Sequence, residues 1–158
     1  VRTHIYPYIL FIHIHISNYM GSIQSTKKVS FEDIIDTVYQ NKAGCLLVNT
    51  LPITEQDCLL SHTILAHAEE SAINNILTNN RNIPVILYGK NTSDNSVLVK
   101  YEQLSKLGLH QVYVYPGGLF EWLLLQEIYG DDVFPTTSKT KDIYRYRPPK
   151  ALQLHLIK

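Results

Sequence analysis

Pro84-Val85-Ile86-Leu87-Tyr88-Gly89-Lys90-Asn91-Thr92-Ser93-Asp94-Asn95-Ser96 decides the fold. Val85 to Tyr88 is a short, continuous apolar run, as expected of a parallel strand covered on both faces, and Pro84 can stand at its start, where its missing N–H is tolerated. Gly89 stops the run, and Lys90 to Asn95 is a polar loop. From Ser96, apolar residues at Val97, Leu98, Tyr101, Leu104 and Leu107 lie along one side of a helix, and Gly108 is its stop signal. A second strand, Gln111-Val112-Tyr113-Val114-Tyr115, is closed by Pro116-Gly117-Gly118, and a broadly apolar helix carrying Phe120 and Trp122 follows. Strand, loop, helix, strand, helix is the layout of a parallel α/β unit, whose ligands sit beyond the carboxyl ends of its strands. The loop after Gly89 is therefore the first place to look for chemistry.

Working upstream, Ser30 is an N-cap with Asp33 three residues on, ahead of Phe31, Ile34, Ile35 and Val38 at helical spacing. Asn41 to Gly44 ends that helix. Cys45-Leu46-Leu47-Val48-Asn49 is a second buried-strand pattern, Thr50 to Asp57 a loop, and Leu59 to Leu65 a short strand or turn. His67 to Glu70 opens a helix with Ala72, Ile73, Ile76 and Leu77 on its inner face. These elements predict a single α/β domain, a parallel sheet of four to five strands with helices on both faces. The expected limits are a leader over 1–29, the domain over 30–130 and a C-terminal extension over 131–158.

The chain has 158 residues, enough for one sizeable core. Fourteen basic and fourteen acidic residues balance, which gives no reason to expect nucleic-acid binding. Cys45 and Cys58 are too few for a disulfide framework or a metal knuckle, and both read as small buried thiols in a reducing compartment. His62, His67 and His110 have no metal-ligand pattern beyond the five-residue step between the first two. Neither metal nor cofactor is called for.

The leader differs from the rest. Ile5 to Ile16 is apolar but short of the roughly 20 residues of a transmembrane helix, and it lacks a signal-peptide cleavage pattern. Met20 is read as the natural start, with residues 1–19 upstream of it; the alternative is that they form a short membrane-associating tail. Met20-Gly21-Ser22-Ile23-Gln24-Ser25 then fits an N-myristoylation signal on Gly21, with Lys27 and Lys28 as basic neighbours. The expected location is cytoplasmic, with peripheral contact at the cytoplasmic face of a membrane through that terminus.

The motifs of the second half carry a resemblance. A strand ending at Tyr88, a helix with Leu104 four residues before Gly108, the strand Val112 to Tyr115, and Gly117-Gly118-Leu119-Phe120-Glu121-Trp122 resemble a rhodanese-like domain. Leu46-Leu47-Val48-Asn49-Thr50 resembles an upstream strand of that family, with Asn49 where aspartate is usual, and Glu70 to Asn74 is a fainter echo. The resemblance covers roughly residues 30 to 130. It implies a loop whose first residue is a cysteine that accepts sulfane sulfur as a thiolate, stabilised by inward-facing N–H groups. Here that position is Gly89, and no cysteine follows Cys58. The related phosphatase branch also needs an arginine at the far end of the loop, where Asp94, Asn95 and Ser96 stand.

The expected function is accordingly a catalytically inactive binding or scaffolding module. The alternative is a sulfurtransferase or phosphatase relative with a non-standard nucleophile, Thr92 or Ser93, served by Asp94 or Lys90. Ligand contact is expected at Gly89, Lys90, Asn91, Thr92, Ser93, Asp94 and Asn95, as a small anion attracted by Lys90 and loop N–H groups. Asp94 opposes that reading, and the bland one is a turn in which Ser93, Asp94 or Asn95 caps the next helix. A protein partner is expected, and Tyr144-Arg145-Tyr146-Arg147-Pro148-Pro149 is either its binding segment or a packed extension.

Overall fold

A computed structural model describes residues 25–39 and 44–152. The lipidation candidate Gly21, and the choice of Met20 as start, lie outside them.

Among the described residues, three strands form one parallel sheet in the order β1 (Leu46–Asn49), β2 (Val85–Tyr88), β3 (Val112–Tyr115). Val48 stands beside Leu87, and Leu87 beside Val114. This is fewer than the four to five strands expected, and the reason lies at the two edges. Next to β3, pairing is limited to one bridge at Lys28, with Val29 N–H donating to Val114 O at 2.9 Å and Val114 N–H to Lys27 O at 2.8 Å. Next to β1, pairing is limited to a bridge at Thr63, with Ile64 N–H donating to Leu47 O at 2.9 Å. Each edge segment is cut short by its neighbours. Ser30 caps a helix directly after Val29, and Thr63 is held between His62, at φ 65, and the helix that starts at Ala66. Neither has the length for a second ladder step.

Alternation along the strands sorts two core layers. Leu47, Ile86, Tyr88 and Tyr115 face a layer containing Ile34, Leu60, Trp122, Phe134 and Tyr146. Val48, Val85, Leu87, Val112 and Val114 face Ile73, Ile76, Val97, Tyr101 and Leu104. Helices thus cover both faces, as the continuous apolar strands require. The first layer is closed by α1 (Phe31–Ile34) with a π-type turn over Ile35–Tyr39, and by α4 (Gly118–Tyr129). The second is closed by α2 (Ala66–Asn79) and α3 (Ser96–Lys106).

Local chemistry sets the ends. At α1, Asp33 N–H donates to Ser30 Oγ (3.3 Å) and Ser30 N–H to Asp33 Oδ2 (2.7 Å), so two otherwise unmet donors are satisfied reciprocally. At the end of α3, Gly108 adopts φ +91; its N–H donates to Ser105 O (3.0 Å) and Leu109 N–H to Leu104 O (3.2 Å). That is the two-bond termination that a left-handed glycine allows.

The segment after α4 is part of the packed body. Trp122 Nε1 donates to Pro135 O (3.2 Å), Gln126 Nε2 to Phe134 O (2.6 Å), and Thr137 N–H to Leu59 O (2.8 Å). A 3₁₀ turn over Ile143–Tyr146 returns to the domain, with Tyr146 fully buried. Arg145 pins the turn through two bonds to Asp57, at 3.0 and 2.6 Å. Among the described residues, no helix is long and apolar enough to cross a membrane.

Candidate functional site

The loop after β2 lies beyond the carboxyl ends of the strands, where the α/β layout places ligands. It is braced from three sides. From α4, Leu119 N–H donates to Gly89 O and Phe120 N–H to Lys90 O, both at 2.9 Å. The approach is so close that a Cβ on Gly118 would fall 2.5 Å from Gly89 O and 3.0 Å from Asn91 N, and Gly118 itself stands at φ +62. Only glycine meets both demands. Next to it, a Cβ on Gly117 would run into the side chain of Glu121, which folds back toward the start of α4. The Gly-Gly pair thus has two separate jobs. From the C-terminal segment, Tyr146 O accepts from Asn91 Nδ2 at 2.7 Å. From the loop after β1, Glu55 pairs with Lys90 Nζ at 2.5 Å, and Thr50 Oγ1 lies 2.7 Å from Ser96 Oγ.

Inside the loop, Asp94 is the organising group. Its Oδ2 accepts from Lys90 N–H at 2.8 Å, and its Oδ1 accepts from Ser96 N–H at 3.0 Å and Ser96 Oγ at 2.6 Å. Asn91 completes the turn, with its Oδ1 accepting from Ser93 N–H at 2.9 Å and its carbonyl from Asp94 N–H at 3.1 Å. Capping of α3 therefore comes from Asp94 rather than from Ser93 or Asn95; Asn95 holds the cap position without a side-chain bond. Of the loop residues singled out, Gly89 and Asn91 are buried, Lys90 and Asp94 half-buried, and Thr92, Ser93 and Asn95 exposed.

The same carboxylate fills the space where a nucleophile would project. A Cβ on Gly89 would lie 2.8 Å from Asp94 Cγ and 2.6 Å from Val97 Cγ2, closer than real contacts allow. Lys90 and Ser96 N–H groups already hold an anion, and it belongs to the chain itself.

The remaining nucleophile candidates are not assembled. Among the described residues, no hydrogen bond joins the Thr92 or Ser93 hydroxyl to a carboxylate, an imidazole or an amine, so neither has an activating base. Cys45 precedes β1, at the opposite end of the sheet from the loop and roughly 13 Å of strand away. Burial pushes its thiol up to about 11. Cys58 is fully buried, its Sγ 3.1 Å from Ser138 O, and burial raises its thiol as well. His62 and His67 are both exposed and are not brought into a metal cluster; among the described residues, no group of three His, Cys, Asp or Glu side chains could hold a metal. Trp122 is fully buried, edge-on to Phe134 with centroids 4.9 Å apart, and serves the core.

Two elements of the site escaped sequence reasoning. Glu55 and Asp57 come from a segment read only as a loop, and they pair with Lys90 and Arg145. The Tyr-Arg-Tyr-Arg alternation would have put Tyr144 and Tyr146 on one side, but the 3₁₀ turn separates them: Tyr146 is buried and Tyr144 exposed.

Fold and loop together define a parallel α/β domain with a candidate site at the turn between β2 and α3. Residues 49–125 match the family model described as the rhodanese-like domain, and the chain contains a domain of that family. Solved structures agree on the fold. The BH2092 protein of Bacillus halodurans is 14% identical with a TM-score of 0.53, over 64% of this chain and 74% of that one. The Alr3790 protein of Anabaena sp. is also 14% identical with a TM-score of 0.53, over 70% and 91%. The solution structure of the rhodanese-like domain from the same Anabaena protein gives 14% and 0.52, over 85% and 93%. No curated protein matches this sequence.

Proposed function

We propose that this rhodanese-like domain transfers no sulfur and acts as a binding or scaffolding module, with a protein as its partner. The observation that carries the proposal is the Asp94 carboxylate against Gly89, held by Lys90 N–H and Ser96 N–H where a thiolate would need both space and donors. A thiol there would face a carboxylate, which disfavours the thiolate. The two cysteines the chain does have are held protonated by burial. In a thiosulfate–cyanide sulfurtransfer assay, the protein is expected to turn over no faster than a Cys45→Ser/Cys58→Ser double variant. Turnover that depends on either cysteine would overturn the proposal.

The same reading places the protein at the cytoplasmic face of a membrane through an N-myristoyl group on Gly21, helped by Lys27 and Lys28. One acyl chain gives only marginal binding, so basic neighbours matter. On fractionation, Gly21→Ala is expected to shift the protein from the membrane to the soluble fraction. An unchanged distribution would remove the lipid from the proposal while leaving the binding module intact.

A further inference from the structure

Beside the loop lies a cavity of about 330 Å³, lined by Lys90, Asn91, Arg145, Arg147, Pro148 and Pro149. Its size falls within the small-molecule range. Three of its six lining residues are cationic and none is acidic. Four of the six come from the C-terminal segment, outside the family-matched residues 49–125. We propose that this cavity binds a phosphate monoester, the phosphate on the three cations and the organic group against Pro148 and Pro149.

The cations are held in place and still have donors to give. Arg145 spends one N–H from each terminal nitrogen on Asp57, and its guanidinium lies 4.7 Å from the Tyr146 ring centroid. Its Nε–H and one further N–H on each terminal nitrogen remain. Lys90 forms an ion pair with Glu55, and an ammonium has three N–H groups to give. Among the described residues Arg147 makes one bond, Nη1 to Tyr144 O at 2.9 Å, and its guanidinium lies 6.0 Å from the Tyr144 ring centroid. Among the described residues no carboxylate pairs with Arg147, so Lys90, Arg145, Arg147, Glu55 and Asp57 carry an excess of one positive charge. A phosphate monoester offers three terminal oxygens carrying up to two negative charges, one oxygen for each cation, where a carboxylate offers two oxygens and a single charge. Fixed guanidinium forks suit such multi-point recognition. Asn91 Nδ2 joins the two halves of the cavity by donating to Tyr146 O.

The loop between β2 and α3 is closed to an outside anion because Asp94 fills it, and the ligand is directed to the side chain of Lys90 instead of the backbone amides. This inference rests on the reading of the domain as a binding module; sulfurtransfer turnover is a separate readout, so the two fail independently.

Titration calorimetry of the full chain with phenyl phosphate tests it, with inorganic phosphate as the second probe. Saturable binding is expected for phenyl phosphate and weaker binding for inorganic phosphate. Arg147→Ala should weaken the phenyl phosphate affinity by about tenfold, in line with one lost charge-assisted contact. Arg147 is exposed and holds only one backbone carbonyl, so that variant should fold normally. Glu55→Gln removes a competing charge and should tighten binding. Absence of saturable binding, or affinity unmoved by both substitutions, would overturn the site. Equal affinity for the two probes would overturn the assignment of an ester.

Discussion

A chain ended at Gly130 is expected to lose its cooperative unfolding transition, although every residue of the family-matched span is retained. The cut removes Phe134 and Tyr146, 2% and 0% exposed, from the layer that covers β1, β2 and β3 on the Trp122 side. Truncating a buried aromatic costs about 3–5 kcal/mol, so losing two approaches the whole stability of a domain, typically about 5–15 kcal/mol. Polar losses add to this. Trp122 Nε1 and Gln126 Nε2 lose Pro135 O and Phe134 O, and Asn91 Nδ2 loses Tyr146 O. Donors left buried without acceptors cost roughly 1–3 kcal/mol each. Trp122 is the only tryptophan, so its fluorescence during denaturant titration follows this layer directly. A chain ended at Pro149 keeps all of these contacts and should unfold as the full chain does. A Gly130-terminated chain with an unchanged midpoint would show that the segment decorates the core instead of completing it.

This bears on what the sequence could disclose. β2, the loop, α3, β3 and α4 were legible because the continuous apolar strands, Gly108 and Gly117-Gly118 each have a local physical reason, and those reasons agree. The count of strands was not. Whether Lys28 or Thr63 starts a strand depends on how soon a helix follows and on the left-handed turn at His62, and neither is visible in apolar patterning. The site was half legible. Gly89 in place of a thiol could be read from the family resemblance, and the conflict posed by Asp94 from its charge. That Asp94 turns inward to hold Lys90 N–H is a matter of backbone geometry, as is the long-range pairing of Glu55 with Lys90 and Asp57 with Arg145. A separation of 88 residues between Asp57 and Arg145 leaves no local trace for periodicity to detect.

Restoring the thiol by Gly89→Cys is expected to fail by itself and to succeed in part when Asp94 is removed with it. The new Cβ would sit 2.8 Å from Asp94 Cγ and 2.6 Å from Val97 Cγ2, so the loop must rearrange. Expelling Asp94 leaves Lys90 N–H and Ser96 N–H without their acceptor. Overpacking and the lost bonds together should cost about 2–4 kcal/mol. Asp94→Ala forfeits the same bonds but clears most of the space, so Gly89→Cys should cost less on that background, with a coupling of about 1–2 kcal/mol in a double-mutant cycle. The Val97 contact remains, which keeps the residual cost above zero. Reactivity should follow the same logic. In the single variant the thiol has a carboxylate beside it, which raises its pKa; in the double variant it meets freed amides at the start of α3, which lower it. Each unit of pKa is a factor of about ten in thiolate at neutral pH. Iodoacetamide alkylation of the introduced thiol, followed against pH in both variants on a Cys45→Ser/Cys58→Ser background, should therefore be faster at neutral pH in the double variant. Additive stabilities together with equal alkylation profiles would mean that Asp94 merely caps a helix, and that the proposed lack of sulfurtransfer rests on the missing thiol alone.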